Sequence, residues 1–447
     1  MPGGAGGANG AGPSAAARTN AAALAHHLQH RPLRVAFVHP DLGLGGAERL
    51  VVDAAAELAA RGHVVDMYTS YYDPARAFDE TRSGAFSVLV AGGWFPRHVL
   101  GRLHALCAVV RCALASLYVA WRVYAGAAPP YDVVIVDQVA AAVPVLKLLL
   151  SSTRVLFYCH FPDMLLTHRA SLLKALYRAP LDALEQAATG AADLILVNSR
   201  FTAGVFAATF ERLASRGVAP AVLYPAVAPP PDAALAEAAG AWEGELGADL
   251  VELARGGPTF LSINRFERKK GIGLALEALH ELLQRRPSCN ARLIVAGGYD
   301  PRLAENREHL VELQQQARAL GLWDRVAFVP SFTDRQRALL LAACRAVLYT
   351  PQHEHFGIVP LEAMASGRPV VACGSGGPVE SVPDGRGGFL CEPTPAAWAE
   401  ALEALLDAKA AAKMGAAARQ HVQDAFSRAA FGERLDQHVH ALANGRR

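Results

Sequence analysis

The chain has 447 residues, with 43 Lys and Arg against 41 Asp and Glu, a net charge of +2, so bulk attraction to nucleic acid is not expected. Charged residues make up 19% and hydrophobic ones 52%, which excludes a disordered polymer and leaves room for two or three domains of about 150 residues. The seven cysteines are scattered without a C-x-x-C pair, so neither a zinc ribbon nor a redox motif is expected.

Residues 1–30 form an Ala/Gly tract with Arg18 as its only charge, which predicts a disordered extension too poor in serine and arginine for a transit peptide. From residue 33 short apolar runs alternate with helical patterns. Residues 33–39, 63–69, 133–137, 154–160 and 193–198 read as buried parallel strands. A second series follows at 259–264, 291–296, 325–329, 346–350 and 369–373. Between them, 226–257 is rich in Pro, Ala and Gly and carries the run Pro229, Pro230, Pro231. The pattern predicts an α/β protein of two doubly wound domains, 31–225 and 258–447, joined through 226–257. Ligands of such sheets bind beyond the carboxyl ends of the strands, so functional residues are expected at those ends.

The first strand runs into His39-Pro-Asp-Leu-Gly-Leu-Gly-Gly-Ala-Glu48, a glycine-rich turn opening a helix whose first amides suit an anion. A nicotinamide fingerprint fits poorly: counted from Gly43, the third glycine position holds Glu48, although Asp66 stands near the place of the ribose acid. In the second series, 259–264 ends in Arg265-Phe-Glu-Arg-Lys-Lys270, several cations on one loop. Residues 346–350 lead into Pro351-Gln-His-Glu-His-Phe-Gly-Ile-Val-Pro-Leu-Glu362. Pro360 suits the first turn of a helix that Gly367 would end, with Glu354 on the loop before it and Glu362 further along. Carboxylates there accept hydrogen bonds from sugar hydroxyls, and the loop amides face a phosphate. His353 and His355 flank Glu354 without further Cys or Asp partners, so no metal is expected. No Asp-x-Asp pair occurs to clamp a metal diphosphate.

Along 97–124, Leu100, Leu103, Cys107, Val110, Leu114, Leu117 and Trp121 recur at helical spacing, with Arg97, His104, Arg111 and Arg122 on the other side. Such a helix either packs on the first sheet or lies in a membrane interface. Residues 165–177, with Arg169 and Lys174, are a second candidate of the same kind. No uninterrupted apolar run reaches the roughly 18 residues of a spanning helix.

Taken together, the spacings Glu354 to Glu362 and Arg265 to Lys270, the pair Gly45-Gly46 and the turn Ser375-Gly-Gly-Pro-Val-Glu380 resemble the retaining glycosyltransferases of family 4, which have the GT-B fold. The segments HPDLGLGGAERLVVDAA, FYCHFPDMLLT, LYRAPLDALE, LSINRFERKK, IVAGGYD and EHFGIVPLEAM are similar to the eukaryotic alpha-1,3/1,6-mannosyltransferases of dolichol-linked oligosaccharide synthesis. The resemblance implies GDP-mannose as donor and a dolichyl-diphosphate-linked oligosaccharide as acceptor, at the cytosolic face of the endoplasmic reticulum membrane, with no cofactor. It implies that Arg265 and Lys270 hold the donor diphosphate, Glu354 the transferred hexose and Glu362 the ribose. Gly45 and Gly46 then lie near the phosphates, Phe356, Gly357 and Ile358 belong to the donor loop, and His160 is an active-site histidine, although a hydrogen-bonded core histidine would look the same. Two alternatives stay open: a family 4 transferase using a UDP-sugar, and a catalytically silent GT-B accessory subunit.

Overall fold

A computed structural model describes residues 31–167, 171–227 and 242–445. The readings placed on 1–30, on Arg169 and on 228–241 lie outside the described residues. Two sheets organise the rest. The first has the order β3-β2-β1-β4-β5-β6-β7, from β1 (Arg34–His39), β2 (Val64–Thr69), β3 (Ser87–Val90), β4 (Val133–Asp137), β5 (Arg154–Cys159), β6 (Leu194–Val197) and β7 (Ala221–Val222). The second has the order β10-β9-β8-β11-β12-β13, from β8 (Thr259–Ile263), β9 (Arg292–Gly297), β10 (Val326–Pro330), β11 (Ala346–Tyr349), β12 (Val370–Cys373) and β13 (Gly388–Cys391), and every neighbouring pair in it is parallel. Strands such as VVIVD in β4 and TFLSI in β8 are buried throughout, as parallel strands covered on both faces must be. The order reverses between β1 and β4 and again between β8 and β11. Those are the topological switch points where ligands of doubly wound sheets bind.

The helices that matter below are α1 (Gly46–Ala60), α2 (His104–Tyr124), α3 (Asp163–Leu166), α4 (Leu172–Thr189), α5 (Arg200–Thr209), α6 (Asp334–Ala343), α7 (Ile358–Ala365) and α8 (Arg428–Ala443). Packing divides the chain into two units. One comprises the described residues of Met1–Phe157, Ala191–Leu194 and Glu433–Arg447, the other those of Tyr158–Gly190 and Ile195–Gly432. Within the expected connection 226–257, Trp242–Leu246 and Ala248–Arg255 are helical, and Ala254 joins the core around Leu261 and Val347.

Helix α2 departs from expectation in its start and its facing. It begins at His104, because Leu100 and Leu103 take left-handed backbone (φ 49° and 61°). Its buried face is the narrow one, Cys107, Cys112, Ala115, Ser116, Val119 and Ala120, which lets the helix lie close against β1 and β2. Arg111, expected on the polar side, is buried there too and pairs with Asp41 at 2.7 Å. The bulky stripe turns outward: Leu117 and Trp121 are exposed, and Val110 and Leu114 are half-buried. Among the described residues α2 is the helix long and apolar enough to cross a membrane by length and composition, despite its two arginines.

Candidate active site

At the second switch point two loops meet. Leaving β8, the chain passes the buried Asn264, and Gly297 at the end of β9 lies so close that a Cβ there would stand 1.6 Å from the Asn264 carbonyl oxygen. The loop closes in a short turn over Arg268–Lys270 that ends on Gly271 at φ 59°. Its four cations then part company. Arg268 reaches Glu308 and Glu312, and Lys269 reaches Glu267, whereas Lys270 forms an ion pair with Glu354. Arg265, largely exposed, touches Glu267 at 2.8 Å. Of the four, Arg265 and Lys270 line a pocket of about 300 Å³ together with Asn264, Gly297, Gly298, Tyr349, Glu354, Gly357 and Ile358.

The loop after β11 is held from two sides. Thr350 donates its hydroxyl to the Lys270 carbonyl at 2.7 Å, tying the loops to each other. The Gly377 amide donates to the Glu354 carbonyl at 2.8 Å, and the His353 amide donates to the Ser375 hydroxyl at 3.1 Å. A Cβ on Gly376 would fall 2.4 Å from the Glu354 carbonyl oxygen and one on Gly377 would fall 2.2 Å from that of Phe356, so this turn accepts glycine alone. Ser199, the N-cap of α5, donates to the His355 carbonyl at 2.6 Å, and Phe161 stacks on His355 at 3.6 Å. Gly357 at φ 80° then starts α7.

Glu354 feels opposing forces. Burial raises its pKa, but the hydrogen bond and charge of Lys270, with smaller help from His355 and Tyr349, outweigh that and hold the carboxyl below its ordinary range. Glu362, in the second turn of α7, is raised by burial despite Arg337 of α6, whose guanidinium donates to it at 2.7 Å. Phe356 points into the core against Tyr224 and Phe426, so only its backbone belongs to the loop's outer face. His160 follows β5 with its ring beside Tyr158 (4.8 Å), and its carbonyl accepts from Asn198 at 3.1 Å. Asn264, Tyr349, Gly297, Gly298 and Arg337 were not singled out from sequence. The pair Gly297-Gly298 directly after an apolar strand was the available signal.

In the other unit, Gly45 is the N-cap of α1 with extended backbone and no side-chain cap, and Gly46 is the first helical residue. Beneath the turn, His39 meets Asp137 at 2.8 Å, and Asp41 is held by Arg97 and Arg111. Asp66 accepts from the Tyr131 hydroxyl at 2.6 Å and stands inside β2, not beyond its carboxyl end.

One group among the described residues could be mistaken for a metal centre: His63, Asp436 and His440. The Leu33 amide donates to His63 Nδ1 at 2.9 Å, so in the neutral ring the proton sits on Nε2, which donates to Asp436 at 2.7 Å. A metal on Nε2 requires the opposite tautomer. The group fits a hydrogen-bonded clamp of α8, not an ion.

A pocket of cations and a carboxylate at the switch point of one parallel sheet, with a glycine turn at that of another, defines a glycosyltransferase of the GT-B fold. Two family models agree, Glycosyltransferase Family 4 over residues 44–218 and Glycosyl transferases group 1 over 251–421. Sucrose-phosphate synthase from Thermosynechococcus elongatus superposes with a TM-score of 0.67 at 23% identity, over 93% of this chain and 100% of that one. Alpha-1,3/1,6-mannosyltransferase ALG2 of Homo sapiens is 47% identical across 91% of this chain and 96% of its own length. The Dictyostelium discoideum protein of the same name is 42% identical across 92% and 99%. The chain belongs to the alpha-1,3/1,6-mannosyltransferase family. It is an enzyme that uses a nucleotide-sugar donor and a glycolipid acceptor.

Proposed function

We propose that the enzyme transfers mannose from GDP-mannose to a dolichyl-diphosphate-linked di-N-acetylchitobiose carrying one mannose, first in alpha-1,3 and then in alpha-1,6 linkage. The reaction belongs at the cytosolic face of the endoplasmic reticulum membrane. The observation that carries the donor site is the meeting of Arg265, Lys270 and Glu354 in one pocket at the β8/β11 switch point. In the donor complex Lys270 leaves its ion pair with Glu354 and, with Arg265, takes the charge that grows on the diphosphate as the sugar departs. Glu354, so released, accepts from hexose hydroxyls. Each well-placed donor on that charge contributes on the order of 3 kcal/mol to the transition state. Glu362 accepts from the ribose, and the amides of the loop through Phe356, Gly357 and Ile358 border the donor. Gly45 and Gly46 admit the phosphates to the start of α1, and His160 serves the reacting centre. Residues 31–225 supply the acceptor side and 258–447 the nucleotide side.

The outward stripe of α2 is the membrane contact. Leu117 and Trp121 are exposed on the helix and Trp94 and Leu100 before it, with Leu100 at 95% exposure, while the opposite face is buried. Leu172, Leu173 and Leu176 of α4 add a second exposed apolar group. Competitive inhibition of turnover by GDP and UDP tests the donor. Inhibition by GDP at concentrations where UDP has no effect is expected, and the reverse order would assign a UDP-sugar.

A further inference from the structure

Glu362 is three-quarters buried, and a carboxylate in that position is costly to keep ionised unless a cation stands against it. The charged groups acting on it both come from α6. Arg337 Nη1 donates to Glu362 Oε1 at 2.7 Å, while Nη2 of the same guanidinium lies 3.3 Å from Asp334, whose carboxylate is fully open to solvent. One arginine is thus shared between a buried carboxylate and an exposed one. The arrangement leaves Glu362 Oε2 without a share in that contact, and an ionised carboxylate can accept from two neighbouring hydroxyls where a protonated one has lost an acceptor site.

We infer that Arg337 is a positioning residue for the donor site: it fixes the Glu362 carboxylate through one oxygen and opposes the protonation that burial favours, so that the other oxygen is ready for a vicinal diol. The inference rests on the ribose role proposed above for Glu362. Asp334 works against it, drawing the guanidinium outward and adding negative charge beside Glu362. Burial is the larger influence and raises the carboxyl, Arg337 lowers it, and Asp334 raises it. Removing Arg337 therefore lifts the carboxyl further toward neutrality, and removing Asp334 lets it fall.

The test is the KM for GDP-mannose against pH, from 6 to 8, in four purified variants with folding checked by circular dichroism. Arg337→Gln is expected to raise KM about tenfold at pH 7.5, with kcat within about twofold, because a hydrogen bond to a charged group is lost. The defect should widen toward pH 6. Arg337→Lys should recover most of the KM. Asp334→Asn, at an exposed position safe for folding, should move the acid rise in KM to lower pH, opposite to Arg337→Gln. Glu362→Gln should raise KM with no such pH dependence. A KM unchanged in Glu362→Gln would overturn the ribose role itself. A KM raised there but pH-independent in both Arg337→Gln and Asp334→Asn would leave the ribose role standing and overturn the inference for Arg337. Should Arg337→Gln fail to fold, the direction of the Asp334→Asn shift decides alone.

Discussion

The turns after β1 and after β11 both lead a parallel strand into a helix, yet their glycines answer to different demands. Around the second turn the fold itself requires them: a Cβ on Gly297, Gly376 or Gly377 would enter backbone atoms that cannot move aside. Around the first turn nothing among the described residues does. A Cβ on Gly43 or Gly46 would meet no atom within 4 Å, one on Gly45 would meet only the end of the movable Glu48 side chain, and none of the three has positive φ. Glycine spared by the fold at the N-terminus of a helix leaves the amides open to an incoming group. The two turns also differ in charge. The first keeps Asp41 neutralised by Arg97 and Arg111, whereas the second brings Glu354 to a pocket where it pairs with Lys270 of the loop after β8.

The largest effect expected from breaking this contrast is on the charged turn. Lys270→Ala should depress kcat by about a hundredfold or more, since the role proposed for the lysine is on charge that grows as the diphosphate leaves. Glu362→Ala should appear mainly as a raised KM. Steady-state kinetics separate the two, and near-wild-type kcat in Lys270→Ala would reduce that lysine to a structural partner of Glu354.

The glycines sharpen the comparison further. Gly377→Ala overpacks a rigid site at a cost of about 1–3 kcal/mol, a fall in Tm of about 3–10 °C. Gly46→Ala should leave Tm unchanged and, by the phosphate role proposed for this turn, lower turnover about tenfold. If calorimetry finds the Tm losses exchanged between the two variants, the division of roles between the turns is wrong.

On α2, Leu117 and Trp121 replaced together by Ser should lower binding to phosphatidylcholine liposomes about tenfold or more, given about 1.5–3 kcal/mol for each large apolar side chain fully buried and about half of each still exposed in the protein. GDP binding should not change. Association equal to wild type would return the stripe to an ordinary surface. The smallest effect belongs to metal removal: with the diphosphate charge assigned by proposal to Arg265 and Lys270, EDTA should not alter turnover, and an EDTA loss restored only by manganese or magnesium would contradict that.

Much of this was legible in the residues because buried parallel strands write themselves as apolar runs. The strands missed lie at sheet edges. Residues Ser87–Val90 form a half-exposed edge after Gly84, Ala221–Val222 is two residues long, and Gly388–Cys391 opens on a glycine pressed against Val370. For the site, the places of Arg265, Lys270 and Glu354 just past strand ends were legible in the apolar runs that precede them, and in the structure the three line one pocket. Tyr349 and Arg337 could not be found that way. Tyr349 reads as the last residue of a core strand, and Arg337 as one more polar residue on a helix whose partner is set only by the tertiary fold. The facing of α2 failed for a related reason. A helix apolar on two sides has no periodicity that says which side packs, and here the small residues won the sheet because they allow closer approach.

The most direct test of the account is transfer by the purified protein from GDP-mannose to a dolichyl-diphosphate-linked di-N-acetylchitobiose bearing one mannose, with the linkages of the products determined. The account predicts two added mannoses, one alpha-1,3 and one alpha-1,6, made by the same enzyme. Turnover of a UDP-sugar in place of GDP-mannose, or no transfer to that acceptor by a folded preparation, would contradict it.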